Sequence, residues 1–322
     1  MRWPRNDPLD TDVEDGTILG SEDTIGSEDT LEGLYARPFC LARPMRQSVP
    51  FVFAIPHSGR CYPAEFVRAS RLTPLTLRRS EDAFVDSLVV ETALTLGAPV
   101  IAARFPRAYV DVNRAPGELD PGMFAGPLPL RVDAPGPRVQ AGLGVIPKVV
   151  RDGTDIYRSK LAADDAGERL QRLYQPYHQA LHALLEETRA SFGTAVVLDC
   201  HSMPSPAASS DIVLGDRYGA AAARMLLTKA EDALELAGFS VARNVPYAGG
   251  FTTQLYGHPD EGLHTLQIEI NRGLYLDERT VRPGPHFAAV RERLSCALAE
   301  FLARPWAMLL QQPLPRPSLA AE

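Results

Sequence analysis

Two histidines follow apolar stretches that have the composition of β-strands. His57 comes after the stretch 51–56, and His201 comes after the stretch 195–200. In α/β proteins, ligands gather where strands end and loops begin, and imidazole is a common ligand of zinc. The matching positions of the two histidines predict that both lie in one metal site between neighbouring strands.

A carboxylate occupies a third apolar stretch. Glu269 stands between Ile268 and Ile270, and a glutamate is almost never fully buried unless it is paired. A hydrolytic zinc centre combines three protein ligands and a water with a nearby base that takes a proton from that water. Glu269 is therefore either the catalytic base of such a centre or one half of a buried salt bridge.

The stretch 104–114 combines arginines with carboxylate and amide side chains. Alternation along a predicted strand places Arg107, Asp111 and Asn113 on one face. Arg114 follows just past the strand end, and the arginine fork binds carboxylates through two parallel hydrogen bonds. The stretch is either a substrate-binding segment or a structural network in which Asp111 holds an arginine.

Other chemistries have weaker support in the sequence. Cys200 lies in an apolar strand, where a cysteine usually acts as a small hydrophobic residue rather than a nucleophile. His178 and His182 have the i, i+4 spacing of a helical zinc pair, but Gln179 stands where such a motif needs glutamate. The phosphate-binding and dinucleotide-binding glycine motifs and the serine-hydrolase elbow are absent from the sequence.

Composition and charge are ordinary for a soluble globular protein. The net charge is −7, but residues 1–33 alone hold ten acidic residues and two arginines, so the other residues come to +1. This balance gives no electrostatic case for nucleic-acid binding. The sequence has neither an apolar run of ~20 residues for a membrane span nor a secretory signal. Four scattered cysteines favour a reducing compartment, so we predict a cytoplasmic protein.

Strands and helices alternate along most of the chain, which predicts a single α/β domain with a mixed, mostly parallel sheet flanked by helices. Residues 1–36, with a repeated Gly-Ser-Glu-Asp-Thr, are predicted to form a disordered acidic arm. Residues 37–305 form the catalytic domain and residues 306–322 a loose tail. The Pro- and Gly-rich excursion at 114–158 has the length of a functional loop. Strands are predicted at 51–56, 99–104, 109–113, 194–200, 212–214, 240–242 and 266–270, and helices at 81–96, 168–191, 219–237 and 285–302.

Seven stretches, in order along the chain, resemble the N-formylglutamate amidohydrolase family, which is distantly similar to zinc carboxypeptidases. The resemblance implies a phosphorylase/hydrolase-like, zinc-exopeptidase-like fold and hydrolysis of N-formyl-L-glutamate to formate and L-glutamate, a reaction of histidine degradation. The matching stretches are 56–59, 82–88, 107–114, 174–178, 198–202, 244–251 and 267–278.

The resemblance also implies roles for individual residues. His57 and His201 would bind one Zn²⁺ per chain. Arg60 stands where carboxypeptidases carry their acidic ligand, so the third ligand must come from elsewhere. We predict Asp82, at the start of the following predicted helix, with Glu81 as the alternative. Glu269 would be the base and Arg107 a helper at the developing oxyanion. Arg114, positioned by Asn113, would bind the α-carboxylate of the substrate.

Two points stay open at this level. The cation that meets the glutamate side chain could be Arg60, Lys148, Arg158 or Arg243. The rival functions are a zinc amidase or carboxypeptidase-type enzyme acting on other N-acyl amino acids or short peptides, and a non-enzymatic binding protein that retains the fold.

Overall fold

The computed structural model describes residues 30–150, 153–207 and 209–310. The predicted disorder of residues 1–29 and the end of the predicted tail, 311–322, lie outside the described residues. The strands are β1 Phe39–Ala42, β2 Phe51–Ile55, β3 Val100–Ala103, β4 Phe124–Ala125, β5 Leu161–Ala162, β6 Ala195–Met203, β7 Ile212–Gly215, β8 Val241–Arg243, β9 Leu263–Asn271, β10 Leu276–Asp277 and β11 Arg282–Pro283. The helices are α1 Leu31–Ala36, α2 Ala64–Ala69, α3 Pro74–Arg78, α4 Val85–Thr95, α5 Pro137–Gln140, α6 Ala163–Arg169, α7 Gln175–Phe192, α8 Arg224–Leu236, α9 Phe251–Tyr256, α10 Phe287–Leu302 and α11 Trp306–Leu310.

Seven strands form one sheet in the order β1-β3-β2-β6-β9-β7-β8. The four central strands β3, β2, β6 and β9 run parallel. β1 is antiparallel to β3 at one edge, and the parallel pair β7–β8 is antiparallel to β9 at the other. The predicted mixed, mostly parallel α/β sheet is confirmed.

Two hydrophobic cores cover the two faces of this sheet. Alternate residues of β6 enter different cores, with Val197 on one face and Leu198 on the other. Helix α7 packs on the first face, whereas α4, α8 and α10 form the second layer. Every residue of β2 and β6 is buried, as expected for strands that are covered on both sides.

The long segment between β3 and α6 contains little regular structure, and the strand predicted at 109–113 is wrong. These residues form turns instead, because Tyr109 N–H donates to Pro106 O and Asp111 N–H donates to Val145 O rather than to a sheet neighbour. The turn brings Arg107 and Asp111 together, with 2.9 Å between Nη2 and Oδ2.

Several predicted boundaries are displaced. Helix α1 lies inside the predicted arm, and its Leu34 and Tyr35 are buried in the core. Helix α11 lies inside the predicted tail, and Trp306 packs edge-on against Phe51 and Phe301. Residues 31–36 and 306–310 are therefore helical and packed on the folded domain, because they carry large apolar side chains that the core accepts.

Two helices begin later than their sequence patterns predict. The helix predicted from residue 81 starts at Val85, which leaves Asp82 in the turn before it. The helix predicted from residue 219 starts at Arg224. Among the described residues, none of the helices combines the length and the apolar character that crossing a membrane requires.

Candidate metal centre

Three buried side chains converge on one point at the carboxyl ends of β2 and β6. The Nδ1 atoms of His57 and His201 are 3.2 Å apart. Asp82 Oδ2 lies 3.2 Å from His57 Nδ1 and 3.0 Å from His201 Nδ1. Ligand atoms at ~2.0–2.1 Å from a tetrahedral zinc ion are roughly 3.3 Å from one another. The three side chains therefore have the spacing of ligands to a single ion.

Short backbone contacts position these three side chains. β2 and β6 are adjacent parallel strands, so His57 just after β2 lies near His201 on β6. Asp82 is tied to the first histidine because its N–H donates to His57 O at 3.0 Å. The hydroxyl of Ser58 donates to the carbonyl of Asp82 at 2.8 Å.

The second ring nitrogen of each histidine faces a carboxylate. His57 Nε2 lies 2.8 Å from Asp111 Oδ1, and His201 Nε2 lies 3.0 Å from Asp199 Oδ2. Histidines that bind metals usually donate this second N–H to a carboxylate or carbonyl, which leaves the other nitrogen free for the ion. The environment of both rings fits a metal bound at Nδ1.

The structure separates the two candidates for the third ligand. Glu81 is engaged elsewhere, since its carboxylate accepts from Tyr62 OH at 2.7 Å and from Arg78 Nε at 3.3 Å. Asp82 Oδ1 accepts from Arg272 Nη2 at 2.9 Å, and this orients Oδ2 toward the histidines. Among the described residues, the group that could hold a metal is His57, Asp82 and His201.

The surroundings of the three side chains favour a bound cation. Burial opposes the charged form of Asp82, yet hydrogen bonds from His201 and His57 hold its pKa well below the usual range. Burial also opposes protonation of His201, but Asp199 and Asp82 hold the pKa of its ring well above the usual value. A metal ion satisfies the same carboxylates without requiring a protonated imidazole.

Glu269 lies beside the three candidate ligands. It is the register partner of His201 in the parallel pair β6–β9, so both side chains project from the same face of the sheet. Its Oε1 accepts from Gln267 Nε2 at 2.9 Å. Burial raises the pKa of Glu269 to about 7. Among the described residues it forms no salt bridge, which favours the interpretation as a base.

The two predicted arginines lie next to the centre. Arg107 Nη2 donates to Asp111 Oδ2 at 2.9 Å, and its Nη1 is 3.9 Å from Asp82 Oδ1. Arg114 Nε donates to Leu143 O at 3.2 Å and is 3.9 Å from Asp111 Oδ2. Asp111 thus forms an ion pair with Arg107, as expected if the stretch 104–114 is a structural network. This ion-pair network borders the candidate metal centre.

Asn113 contacts Arg114, as predicted, and also contacts His201 and Thr252. Its carbonyl accepts from Arg114 Nη1 at 2.8 Å, which agrees with positioning of the arginine. The side-chain nitrogen Nδ2 of Asn113 lies 3.3 Å from His201 Nε2. The side-chain oxygen Oδ1 accepts a hydrogen bond from Thr252 N–H. A Cβ at position 250 would lie 2.3 Å from Asn113 Nδ2, so this approach requires Gly250.

Three residues of the centre were missed from the sequence: Asp199, Gln267 and Arg272. Asp199 lies two positions before His201 on the same strand face, a spacing that could have identified it. Gln267 has the same relation to Glu269. Arg272 belonged to a matching stretch, but its contact with Asp82 spans 190 residues, and no local pattern predicts such a distant contact.

The weaker candidates have other places in the fold. His178 is buried and contacts Val112 O and Tyr256 OH, whereas His182 is exposed, so the two do not form a zinc pair. Cys200 lies in the apolar core of the opposite face, where burial raises the pKa of its thiol. Neither observation supports a second catalytic centre.

Comparisons with known proteins identify the family of this chain. The N-formylglutamate amidohydrolase family model matches residues 49–276. An N-formylglutamate deformylase from Pseudomonas aeruginosa is 28% identical over 267 residues, which cover 80% of this chain and 92% of the relative. A deformylase of the same name from Pseudomonas putida is 27% identical over 239 residues, or 71% of this chain and 83% of the relative.

Solved structures show the same fold. An N-formylglutamate amidohydrolase from Ralstonia eutropha is 38% identical, with a TM-score of 0.77, and the match covers 83% of this chain and 99% of that one. A protein from Agrobacterium tumefaciens, 18% identical with a TM-score of 0.62, covers 89% of this chain and 100% of its own and shares the fold. The match to the family model extends over well more than half of the sequence, and the chain belongs to the N-formylglutamate amidohydrolase family.

Proposed function

We propose that this protein hydrolyses the amide bond of N-formyl-L-glutamate to formate and L-glutamate, with one Zn²⁺ held by His57, Asp82 and His201. The observation that carries the proposal is the convergence of two imidazole nitrogens and a carboxylate within 3.2 Å of one another, beside Glu269. The names of the Pseudomonas and Ralstonia relatives support the substrate. We propose a cytoplasmic enzyme of histidine degradation.

The ion has a defined chemical contribution. When bound, zinc lowers the pKa of water toward ~7 and polarises a carbonyl. The donor set of two histidines and one carboxylate is typical of catalytic zinc sites in hydrolases. The residues around the ligands would supply the rest of the reaction.

Glu269 would transfer the proton. Its carboxylate accepts a proton from the attacking water and delivers it to the amide nitrogen as the amine departs. Burial favours this exchange because it raises the pKa of Glu269 to about 7, so the proton is easily taken and given back near neutral pH. The hydrogen bond from Gln267 Nε2 to Oε1 at 2.9 Å fixes the position of the carboxylate.

The arginines would bind the charged parts of the substrate. Arg107, a quarter exposed, faces the developing oxyanion, and a single donor at such a position contributes roughly 3–4 kcal/mol. Arg114 binds the α-carboxylate. The carbonyl of Asn113 holds Arg114 through Nη1, and the position of the substrate therefore depends on the loop at 111–114.

The metal content of the purified protein tests the ligand set. We expect about one zinc per chain by elemental analysis, and loss of the metal in the His57→Ala/His201→Ala variant. Asp82→Asn should also lose the metal, whereas Glu81→Gln, at the neighbouring buried carboxylate, should keep it. Loss of zinc in Glu81→Gln with retention in Asp82→Asn would assign the third ligand to Glu81. The absence of metal in all variants, even after incubation with zinc, would overturn the mechanism.

Formate release from a panel of N-acyl amino acids tests the reaction. N-formyl-L-glutamate should be the best substrate, and Glu269→Gln should retain zinc while losing roughly 10²–10⁴-fold in kcat, the usual contribution of a general base. Faster hydrolysis of another N-acyl amino acid or a short peptide would favour the rival amidase or carboxypeptidase-type function. A folded, metal-free protein without activity would favour a binding protein.

A further inference from the structure

A cavity of about 210 Å³ lies where the excursion between β3 and α6 meets the turn after α2, and cations predominate in its lining. Two of them, Lys148 and Arg158, are among the four cations that the sequence offers for the substrate side chain. The other two are paired elsewhere, Arg60 with Asp86 at 3.0 Å and Arg243 with a glutamate of α8. The charged residues that line the cavity are Arg71, Lys148, Asp155, Arg158 and Lys160.

Hydrogen bonds to the backbone join the chain segments that form the walls of this cavity. Arg71 N–H donates to Ile156 O at 2.9 Å, and Ile156 N–H donates to Lys148 O at 2.8 Å. Arg158 Nε donates to Ser70 O at 2.8 Å, which ties the excursion to the turn after α2. The walls are therefore formed in advance, and a ligand that binds there does not have to order them.

The positive charge of the cavity is largely uncompensated. Four cations against one carboxylate leave an excess of three positive charges in the lining, although the whole chain has a net charge of −7. Among the described residues, none of the four cations forms an ion pair with a carboxylate. All four are exposed, so an anion can reach them from solvent. Because like charges that lie close together repel one another, a bound anion would stabilise them.

The composition of the lining favours phosphate as the ligand. A phosphate monoester carries a charge of about −1.5 to −2 near pH 7, and its oxygens accept several strong hydrogen bonds. Arginine binds such oxygens in pairs, and lysine binds them as a point charge. Ser159 adds a hydroxyl to the lining. Pockets for drug-sized ligands have volumes of ~300–1,000 Å³, so the smaller volume here suits a small anion.

We propose that this cavity binds a small phosphate anion of the orthophosphate or diphosphate class. None of the described residues that line it belongs to the candidate metal centre. The inference goes beyond the proposed function and does not depend on it.

Calorimetric titration of the full chain with orthophosphate and diphosphate tests the site. Diphosphate should bind with a Kd below about 1 mM, more tightly than orthophosphate, and the affinity should fall as salt is added. Lys148→Gln/Lys160→Gln keeps the apolar part of each side chain but removes two charges, and should raise the Kd for diphosphate at least about tenfold.

The matched control is Arg131→Gln/Arg138→Gln. It removes two exposed cations of the same excursion that do not line the cavity, and should change the Kd less than about twofold. Thermal unfolding without ligand should be the same for both double variants and the wild type, which shows that both are folded. An equal loss of affinity in the two double variants would mean that the anion responds to overall charge, and would overturn the assignment to the cavity.

Because phosphates also bind zinc, the titration is repeated in the His57→Ala/His201→Ala variant, which should bind diphosphate as the wild type does. Binding that is lost in this variant but kept in Lys148→Gln/Lys160→Gln would place the anion at the metal centre and overturn the proposal. The absence of heat from a folded protein at about 10 mM diphosphate would also overturn it. Tighter binding of glutarate, a dicarboxylate, than of diphosphate would overturn the assignment of phosphate as the ligand.

Discussion

The two candidate histidine ligands present the same atom to the same point but are held in different ways. His57 Nε2 faces Asp111, which also accepts from Arg107 Nη2 and from Asn113 N–H at 2.9 Å each. His201 Nε2 faces Asp199, which lies two residues earlier on β6 and is fully buried. One carboxylate belongs to a loop and is shared, whereas the other belongs to a strand and faces a single imidazole.

This difference indicates that the two carboxylates have different roles: Asp199 would support metal binding, and Asp111 would link metal binding to substrate binding. Asp199 would act on the metal mainly through the ring of His201, because its carboxylate faces Nε2 of that ring at 3.0 Å. Asp111 connects the metal to the arginines that would meet the substrate, so a change there affects binding of the ion and of the substrate together. We call His57 with Asp111 the loop arm of the site and His201 with Asp199 the strand arm. In the proposed reaction the loop arm would couple metal binding to substrate binding, whereas the strand arm would support the metal alone.

The largest effect is expected for Asp111→Asn. The neutral amide weakens the hydrogen bond to His57 Nε2 and removes the nearer of the two carboxylates beside Arg107, leaving only Asp82 at 3.9 Å. Zinc affinity should fall roughly 10–100-fold, and kcat/KM should stay at least about tenfold below wild type when zinc is saturating, since a charge-assisted hydrogen bond that positions the arginine is lost. Zinc titration followed by kinetics at saturating zinc measures the two losses separately. Full recovery of kcat/KM at saturating zinc would remove Arg107 from the coupling.

A smaller and simpler effect is expected for Asp199→Asn. Zinc affinity should again fall roughly 10–100-fold, because the orienting carboxylate of His201 is lost, but zinc at saturation should restore both kcat and KM. Competition with a chelating dye measures the affinity. Asp277→Asn, which changes a partly exposed carboxylate on the β10–β11 pair, is the control. A kinetic defect that persists at saturating zinc would show that Asp199 acts on more than the metal ligand.

The same contrast explains how much of the site could be predicted from the sequence. His57 and His201 were predictable because His57 follows a buried parallel strand and His201 lies near the carboxyl end of another, and Glu269 because it interrupts an apolar run. These are local signals. Asp82 was predicted only from its place at the start of the following predicted helix, and its position depends on the hydrogen bond from its N–H to His57 O across 25 residues. His201 thus follows from a local pattern, and its partner Asp199, which was missed, lies two positions earlier on the same strand face, where the same periodicity could have identified it.

The loop arm could not be predicted in the same way. The stretch 109–113 has the alternation of a strand, but contacts with Pro106 and Val145 fold it into turns. The bond between His57 Nε2 and Asp111 Oδ1 joins residues 54 positions apart, and the bond between Arg114 Nε and Leu143 O joins residues 29 positions apart. Contacts of this kind depend on the packing of an irregular segment, which leaves no periodic pattern in the sequence.

The smallest predicted effect concerns the support beneath the loop arm. His178 Nε2 donates to Val112 O at 2.9 Å, next to Asp111, and Nδ1 accepts from Tyr256 OH at 2.8 Å. Burial lowers the pKa of His178 from 6.5 to about 4, so the folded protein keeps this ring neutral where the unfolded chain binds a proton. Its contribution to stability is complete above the unfolded pKa and is lost as the pH falls from 6.5 toward 4.

Denaturant unfolding of His178→Gln and His182→Gln at two pH values tests this support. Wild type should lose about 1.4 kcal/mol of unfolding free energy between pH 7.5 and pH 5.5 through this one histidine. His178→Gln should reduce the pH dependence by that amount, whereas His182→Gln, exposed one turn further along α7, should leave it unchanged. Burial also lowers the pKa of His264 to about 4, so some acid sensitivity should remain in both variants. If the unfolding free energy of His178→Gln keeps the wild-type pH dependence, the contact between a neutral His178 and Val112 O does not stabilise the loop arm.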